Sequence, residues 1–595
     1  MENIEVAGRL EELADLLEIR GANPFRIRAY RNAIRTIAGL TRPLAAMVAE
    51  GDDLTELPGI GKDLAAHIRE LLETGGLELL EELAREVPRE LATLTRLDGV
   101  GPKKAKKLWK ELGVTTVDEL LVAAKGGKVE ALDGFGAKSV EKILRAIEDF
   151  RKHQGRFLRT EAVTLLRPLL ALLESDARVE RIAVAGSLRR GRETVGDIDL
   201  LAIVAEEDRA GVMESFTGFE GVSRVEMAGE TRGSVVLRSG LPVDLRLLGR
   251  ESYGAALHYF TGSKEHNVEI RRRARARGLK VSEYGVFRVE SGDGEGSADG
   301  AGDRNGEQEG ERVGGESEEE VFEAVGLPWI EPVLRENRGE FGAAEEGRLP
   351  ELVGLEAIRG DLHMHTTWSD GRNSIREMAE ACRDRGYAYM AVTDHSRAVT
   401  VANGLGPERL REQWDEIDRA RDEVEGIRIL RGCEVDILKD GTLDLPDEVL
   451  EGLDIVLVAV HSHFALGQAV MTERIVRALE HPLVDVLVHP TGRLLNRREP
   501  YPVDVRALLE AAREFDVAVE LNANPRRLDL NNRHLFEAKS MGLRVSVATD
   551  AHRVSQLEYI ESGLAEGQRG WLEAGDIVNC LELEGLERWL ARKRG

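Results

Sequence analysis

Cysteine is nearly absent: the 595 residues contain three, Cys382, Cys433 and Cys580, far apart and without a CxxC pair. That excludes a disulfide scaffold and a cysteine-based zinc finger, and it fits a reducing cytoplasm. Long apolar runs are missing too. No stretch of 18 or more apolar residues occurs, so no membrane span is expected. Met1-Glu2-Asn3-Ile4-Glu5 lacks the apolar core of a signal peptide. An excess of positive charge is also missing: 82 Lys and Arg against 108 Asp and Glu give −26. Spread evenly, that balance would argue against a nucleic-acid binder. It is not spread evenly, because residues 1–290 hold 46 basic and 47 acidic residues, whereas 291–350 hold 5 and 17. Basic clusters remain at Lys103, Lys104, Lys106, Lys107 and Lys110, at Arg189, Arg190 and Arg192, and at Arg271, Arg272, Arg273, Arg275 and Arg277. Local patches of this kind attract phosphate backbones; solvated helix faces are the other reading of each cluster.

The length exceeds one compact core, and the pattern shifts along the chain. Residues 1–150 read as helices broken by glycine turns, beginning with Leu10, Leu13, Ala14, Leu16 and Leu17 at helical spacing. From about 180 the period turns toward two, predicting strands over 181–185, 198–204, 234–237 and 241–248. The stretch 291–320 has nine glycines and only Val313 as a large apolar residue, so 291–317 is expected to be a disordered acidic insertion. Helical pattern resumes at Glu318. From about 355 to the end, apolar strands alternate with amphipathic helices, the mark of a parallel βα array.

Leu57-Pro58-Gly59-Ile60-Gly61-Lys62 returns as Leu97-Asp98-Gly99-Val100-Gly101-Pro102 and as Leu132-Asp133-Gly134-Phe135-Gly136-Ala137. Glycine allows a tight hairpin and close backbone approach, and the helix that follows offers free N–H groups to a phosphate. One such hairpin is an ordinary turn; three favour helix-hairpin-helix contact with a DNA backbone, with Lys62, Lys103, Lys104 and Lys138 beside them. Further on, Gly186-Ser187-Leu188-Arg189-Arg190-Gly191 follows a strand, and Asp197-Ile198-Asp199 comes six residues later. A third carboxylate, Asp244, lies in the apolar strand around Val243. Carboxylates crowded on adjacent strands repel one another unless hard divalent cations such as Mg²⁺ join them. The Gly-Ser turn and Arg190 could then face a triphosphate.

The set G-S-x-R-R-G, D-x-D and a later strand Asp resembles the nucleotidyltransferase palm of family X DNA polymerases, the relatives of DNA polymerase beta, over residues 1–340. The resemblance implies that Asp197 and Asp199 bind two metals, Mg²⁺ or Mn²⁺, and that Asp244 binds the catalytic one. It assigns Gly186, Ser187 and Arg190 to the triphosphate. It also assigns Tyr259-Phe260-Thr261-Gly262-Ser263 to the turn beside the incoming nucleotide, and Asn267 and Arg271 to the minor-groove side of the nascent pair. Lys264 stands where many vertebrate relatives carry an acidic residue, as a nucleotide contact or a solvated charge. Tyr30 and Arg26, with Arg28 and Arg31 nearby, keep the shape and charge of a 5′-phosphate pocket. Where the family's lyase nucleophile is a lysine, this chain has His67, with Asp63 at the helper position. Imidazole forms no stable imine, so loss of deoxyribose phosphate lyase activity is expected.

Beyond residue 355 lie nine of the 13 histidines, and several follow apolar strands. His363-x-His365 with Asp370, Asp394-His395, Glu434, His461, His489 and Asp550-Ala551-His552 stand at six strand ends. In βα barrels the carboxyl ends of strands converge on the active site, and imidazole plus carboxylate without thiolate suits Zn²⁺, Mn²⁺ or Fe²⁺. The pattern resembles the PHP (polymerase and histidinol phosphatase) domain with a trinuclear site. By that resemblance His363, His365, Glu434 and Asp550 hold one metal, Glu434 bridges to a second completed by His461 and His489, and Asp370, His395 and His552 hold the third. His463, His481 and His534 are left out of the set.

The expected fold is multidomain α/β. It comprises a helical DNA-binding region over 1–82, a second helix-hairpin-helix region over 83–152, a palm over 153–250, and a thumb over 251–342 with the insertion 291–317. A linker over 343–356 and a distorted (β/α)7 PHP barrel over 357–595 complete it. The order resembles bacterial family X polymerases that carry a PHP domain. It implies a cytoplasmic, monomeric repair enzyme acting on gapped or nicked DNA with dNTPs. That enzyme fills short gaps in base excision repair and end processing and trims 3′ ends as a 3′–5′ exonuclease, with cleavage at abasic sites implied by family analogy. The alternatives are a small-molecule phosphoesterase tethered to a DNA-binding module and a non-catalytic DNA-end scaffold.

Overall fold

The computed structural model describes residues 3–37, 44–49, 51–95, 97, 99–153, 155–289 and 310–594. They form two compact units: residues 1–154 with 496–499, and residues 155–495 with 500–595.

The first unit is helical, and the threefold repeat is repeated in its backbone. Gly59, Gly99 and Gly134 each take a left-handed φ, of 76°, 87° and 84°. The apolar residue after each, Ile60, Val100 and Phe135, is buried and donates its N–H to the leucine three residues earlier, at 3.1, 3.0 and 3.0 Å. The second glycine of each repeat then accepts the first bond of the next helix, from Ala65, Ala105 and Val140. A β-carbon at Gly61, Gly101 or Gly136 would meet nothing within 4 Å, so these main-chain surfaces lie open. The helices that follow are Lys62–Thr74, Pro102–Leu112 and Ala137–His153.

The second unit begins with the strands β1 (Phe157–Leu158), β2 (Val179–Val184), β3 (Thr194–Val195), β4 (Ile198–Val204), β5 (Val222–Ala228), β6 (Arg232–Leu237) and β7 (Pro242–Leu248). β1 pairs with β3, and the other five form one sheet in the order β2-β4-β7-β6-β5. Only the central pair, β4 with β7, is parallel among them. β5 is an edge strand that the period-two reading passed over, because all but its first residue are exposed. Next come the helices Arg250–Thr261 and Lys264–Ala276 and a three-stranded antiparallel sheet of β8 (Leu279–Ser282), β9 (Gly285–Arg288) and β10 (Arg312–Gly314).

β10 corrects the expectation for 291–317. Residues 290–309 lie outside the described residues, but 310–317 are folded. Arg288 donates to Glu311 O at 2.9 Å, Ala255 donates to Gly315 O at 2.9 Å, and Glu320 accepts from the Gly315 N–H at 2.7 Å. Composition misled because this stretch is held by main-chain bonds and by close approaches that need glycine: Gly310 crowds Arg288 O, and Gly315, at φ 131°, lies against Ala255. Its lack of large side chains is therefore no sign of missing contacts.

Seven parallel strands follow: β11 (Gly360–Asp361), β12 (Tyr389–Val392), β13 (Arg428–Asp436), β14 (Ile455–Ala459), β15 (Val486–Leu487), β16 (Ala518–Asn522) and β17 (Val545–Ala548). They lie side by side in chain order. The edges meet through a parallel bridge between Met364 and Ala551, with His365 N donating to Ala551 O at 2.8 Å and Asp550 N to His363 O at 3.0 Å. Every residue of these strands except Arg428 and Arg431 is buried, as parallel strands wrapped by helices require. β16 was not among the strand ends read from the sequence.

Val289 and Gly310 flank the undescribed segment at the end of a hairpin. An Asn-Gly dipeptide suits a two-residue connection there. Replacing residues 290–309 by Asn-Gly is expected to leave the thermal melting midpoint unchanged by calorimetry. Deleting 293–316 removes β10 and is expected to lower it, which reverses what composition alone suggests.

Candidate active sites

The palm carboxylates stand where β4 and β7 run side by side. Asp199 and Asp244 are register partners, while Asp197 precedes the first residue of β4 and is exposed. Burial, together with the charges of Asp197 and Asp244, pushes Asp199 up to about 6. Asp199 crowded by two further carboxylates makes a donor set suited to hard cations. Asp244 is also held by neighbours that the sequence reading missed: Ser234 Oγ donates to it at 2.5 Å and Arg232 at 3.0 Å. Both come from β6, whose Ser234 is Asp244's register partner. Gly186, at φ 63°, leads a one-turn helix and lies so close to Asp199 that a β-carbon would strike its carboxylate. Ser187 is half-buried in that turn.

The two arginines of the turn point into the neighbouring helical layer. Arg189 makes paired bonds to Glu318 at 2.8 and 2.6 Å and donates to Thr261 Oγ1 at 2.6 Å. Glu318 also accepts from Arg335 at 2.5 Å and from Trp329 Nε1 at 3.3 Å. Burial opposes ionisation of Glu318, but Arg189 and Arg335 outweigh it and hold its pKa far below the usual range. Arg190 donates to Thr261 O and, at 3.1 Å, to Glu336. Tyr259 and Phe260 pack edge to face at 5.1 Å. Gly262 has φ 66°, and Ser263 caps the next helix by accepting from His266 N at 3.2 Å. Lys264 is exposed at the start of that helix. Asn267 donates to Tyr259 O at 2.7 Å and leaves its Oδ1 buried without a partner. Arg271 Nε donates back to Asn267 O at 3.3 Å.

In the helical unit, Lys62, Lys103 and Lys138 are exposed beside the hairpins. Lys104 is engaged inside the fold, donating to Gly99 O at 3.1 Å and Ser139 Oγ at 2.9 Å. Tyr30 is buried with its hydroxyl 3.1 Å from His67 Nδ1. Burial lowers His67 below its ordinary value. Arg26 and Arg28 are exposed, whereas Arg31 is taken up by Asp15 and Glu18.

The barrel brings all nine predicted residues together. Glu434 is fully buried, and five imidazoles face its carboxylate: His489 at 2.7, His395 at 2.7, His461 at 3.2, His363 at 3.6 and His365 at 3.6 Å. Asp550 lies 3.2 Å from His365, and Asp370 lies 3.4 Å from His552 and 3.7 Å from His395. Three groups have ligand atoms within 4.8 Å of one another: His365, Asp370, His395 and His552; His363, His365 and Asp550; and His395, Glu434 and His461. His365 and His395 each face two groups, so the sharing extends beyond the Glu434 bridge read from sequence. His365 Nδ1, His395 Nδ1 and Glu434 Oε2 are buried without a hydrogen-bond partner. Donor atoms that approach without bonding one another are what a shared cation would require, so the residues fit a metal centre.

Residues that the sequence reading missed orient these imidazoles. Glu520 on β16 takes His363 Nδ1 at 2.6 Å, leaving Nε2 toward Glu434, and its other oxygen accepts from His489 N at 2.7 Å. Asp436 holds His461 Nδ1 at 3.2 Å. Burial disfavours the charged form of His461, but Glu434 and Asp436 outweigh it and push the pKa up to about 9. Asp394 accepts from Thr366, Ser369 and Gln413 and so fixes the loop that carries Asp370. The apolar run Val517-Ala518-Val519 ahead of Glu520 was the available signal for β16. His463 is exposed, while His481 and His534 are half-buried and outside the three groups.

A carboxylate triad on a mixed sheet and an imidazole–carboxylate cluster in a parallel barrel give the protein two separate donor sets suited to divalent cations. Residues 1–77 match the helix-hairpin-helix domain family, 89–149 the SAM-like helix-hairpin-helix tandem, 256–336 the DNA polymerase beta thumb and 361–523 the PHP domain. The DNA polymerase/3′-5′ exonuclease PolX of Bacillus subtilis (strain 168) is 41% identical over 594 residues, spanning 100% of both chains. The chain belongs to the PolX family, the family X DNA polymerases with a C-terminal PHP domain. DNA polymerase lambda of Rattus norvegicus is 25% identical over 56% of this chain and 56% of its own. A protein of Thermoanaerobacter sp. (strain X514) described as a probable phosphatase is 30% identical over 39% of this chain and 95% of its own.

Substituting Glu520→Gln keeps the side chain's shape but weakens its hold on His363. Changes to groups that orient a ligand typically cost about 10–100-fold in metal affinity. A loss of that size in Mn²⁺ affinity at the barrel is expected by calorimetric titration.

Proposed function

We propose that the palm extends a DNA primer across short gaps and that the barrel removes nucleotides from 3′ ends. The observation that carries this reading is the pairing, within one unit, of the Asp197–Asp199–Asp244 triad beside the G-S-x-R-R-G turn with the nine-residue centre of the barrel. In the palm, Asp197 and Asp199 would hold two cations, Mg²⁺ or Mn²⁺, and Asp244 would share the one nearer the primer terminus. In the barrel the nine imidazoles and carboxylates would hold up to three, of Zn²⁺, Mn²⁺ or Fe²⁺. Bound cations supply charge that offsets the reacting phosphoryl oxygens and favours a deprotonated nucleophile near neutral pH.

The chain's own groups bind and orient. Ser187, the main chain of the turn and Arg190 are suited to the triphosphate, and Tyr259 to Ser263 with Asn267 to the sugar and base. The open Gly-x-Gly surfaces are suited to DNA phosphates. A tethered small-molecule phosphatase is disfavoured, because that likeness is confined to the barrel while the likeness to PolX runs the length of the chain. Among the described residues no helix is long and apolar enough to cross a membrane.

The two centres should be separable. Asp244→Asn is expected to abolish primer extension on gapped DNA and to leave 3′–5′ degradation. Asp550→Asn is expected to do the reverse. Primer extension by Asp244→Asn at a rate near wild type would sink the palm assignment.

A second outcome follows from His67. A lyase needs a free amine to attack the open-chain sugar, and here the position holds an imidazole bonded to Tyr30. Borohydride reduction is expected to trap little covalent complex with a 5′-deoxyribose phosphate substrate. Gap filling should still be faster when the downstream strand carries a 5′-phosphate. Efficient trapping that disappears in Lys62→Ala would count against the first half, and indifference to the phosphate against the second.

A further inference from the structure

The G-S-x-R-R-G turn is backed by the barrel. Gly191 ends the turn at φ 68°, and a β-carbon there would lie 3.5 Å from Val333 and 3.7 Å from Arg569. Arg569 is the last residue of the helix Ile560–Arg569, which packs on β16 and β17. Its guanidinium donates to the carbonyl of Arg190 at 2.6 Å and to Glu336 Oε1 at 3.1 Å. The same oxygen accepts from Arg190 Nε at 3.1 Å. The three side chains are only 3%, 10% and 11% exposed for Arg569, Glu336 and Arg190. Arg192 reaches the other Glu336 oxygen only at 3.5 Å and is far more exposed, at 41%.

Glu336, itself largely shielded, thus serves two largely shielded guanidiniums, of which Arg569 also lies 3.5 Å from the buried Glu566. A charge so far removed from water must stay paired. Arg190 is the group that the proposed function gives to the triphosphate, so Glu336 and the nucleotide compete for it. When Arg190 turns to the nucleotide, Glu336 needs another cation, and Arg569 is already in contact. We propose that Arg569, a residue of the barrel, is a positioning residue for the palm reaction: by neutralising Glu336 it frees Arg190 to bind the triphosphate of the incoming nucleotide. The proposal rests on the reading of Arg190 as a triphosphate ligand. It predicts an effect on nucleotide binding more than on the chemical step.

The test uses the full-length protein, a one-nucleotide gap and steady-state kinetics with Mg²⁺. Arg569→Gln is expected to raise KM for the dNTP roughly tenfold, within the usual range of coupling between sites, with kcat little changed. Adding Glu336→Gln removes the competitor and should bring KM back toward wild type, which a merely structural role for Arg569 would not do. An unchanged KM in Arg569→Gln, or a raised one that Glu336→Gln does not relieve, would overturn the proposal. Melting and nuclease activity on single-stranded DNA report whether each variant is folded. Should Arg569→Gln not fold, Glu336→Gln alone decides: a lower KM supports the competition, and an equal or higher one overturns it. Arg190→Ala tests the underlying reading separately, because an unchanged KM there removes Arg190 from the nucleotide site whatever Arg569 does.

Discussion

Glu434 sits within β13 with no access to solvent, and five imidazoles from four other strand ends close around it. An ionised carboxylate in such a place is costly unless positive charge surrounds it. That need explains much of the barrel's polar interior. His363 is turned by Glu520, His461 by Asp436, and His489 is fixed through its own main chain by Glu520. Each outer carboxylate holds one ring nitrogen and so aims the other inward. The closure between Met364 and Ala551 brings the first and last strands into the same arrangement, so the fold and the centre depend on each other.

The palm solves a similar problem with less burial. Its three carboxylates stand at the margin of a mixed sheet, and Arg232 and Ser234 hold one of them. The two centres are joined by short polar contacts as well as by the chain. Arg493, four residues after His489, makes paired bonds to Glu193 at 2.8 and 3.4 Å, just past the palm's G-S-x-R-R-G turn. The buried Arg493 also donates to Leu528 O, in the loop that carries Arg527 toward Asp550. A loop of the barrel centre is therefore anchored on the palm.

Much of this was legible in the sequence because the groups that carry charge to a site come with strong local signals. The palm strands β2, β4, β6 and β7 showed their period, and six barrel strands ended in histidine or acid. What escaped acts through something else. Glu520 and Asp436 touch rings rather than ligand positions, and nothing in their local spacing marks them. β5 lies at an edge and has no buried face to create alternation. Residues 310–317 are held by main-chain bonds, and composition records only side chains. Lys104 looked like a phosphate contact but is spent on Gly99 and Ser139, a pairing visible only once the second and third hairpins are set side by side.

The three hairpins carry one more implication, concerning change over evolutionary time. What they offer outward is main chain: the left-handed glycine, the open second glycine and the first turn of a helix. Such a surface is the same whatever side chains flank it. Pro58 stands where the third copy has Asp133, and Lys62 where the others have Pro102 and Ala137, yet the backbone bonds are alike in all three. The three copies share a leucine, two glycines and one buried apolar residue, and the hairpin's outward surface tolerates different side chains at the positions between and after them.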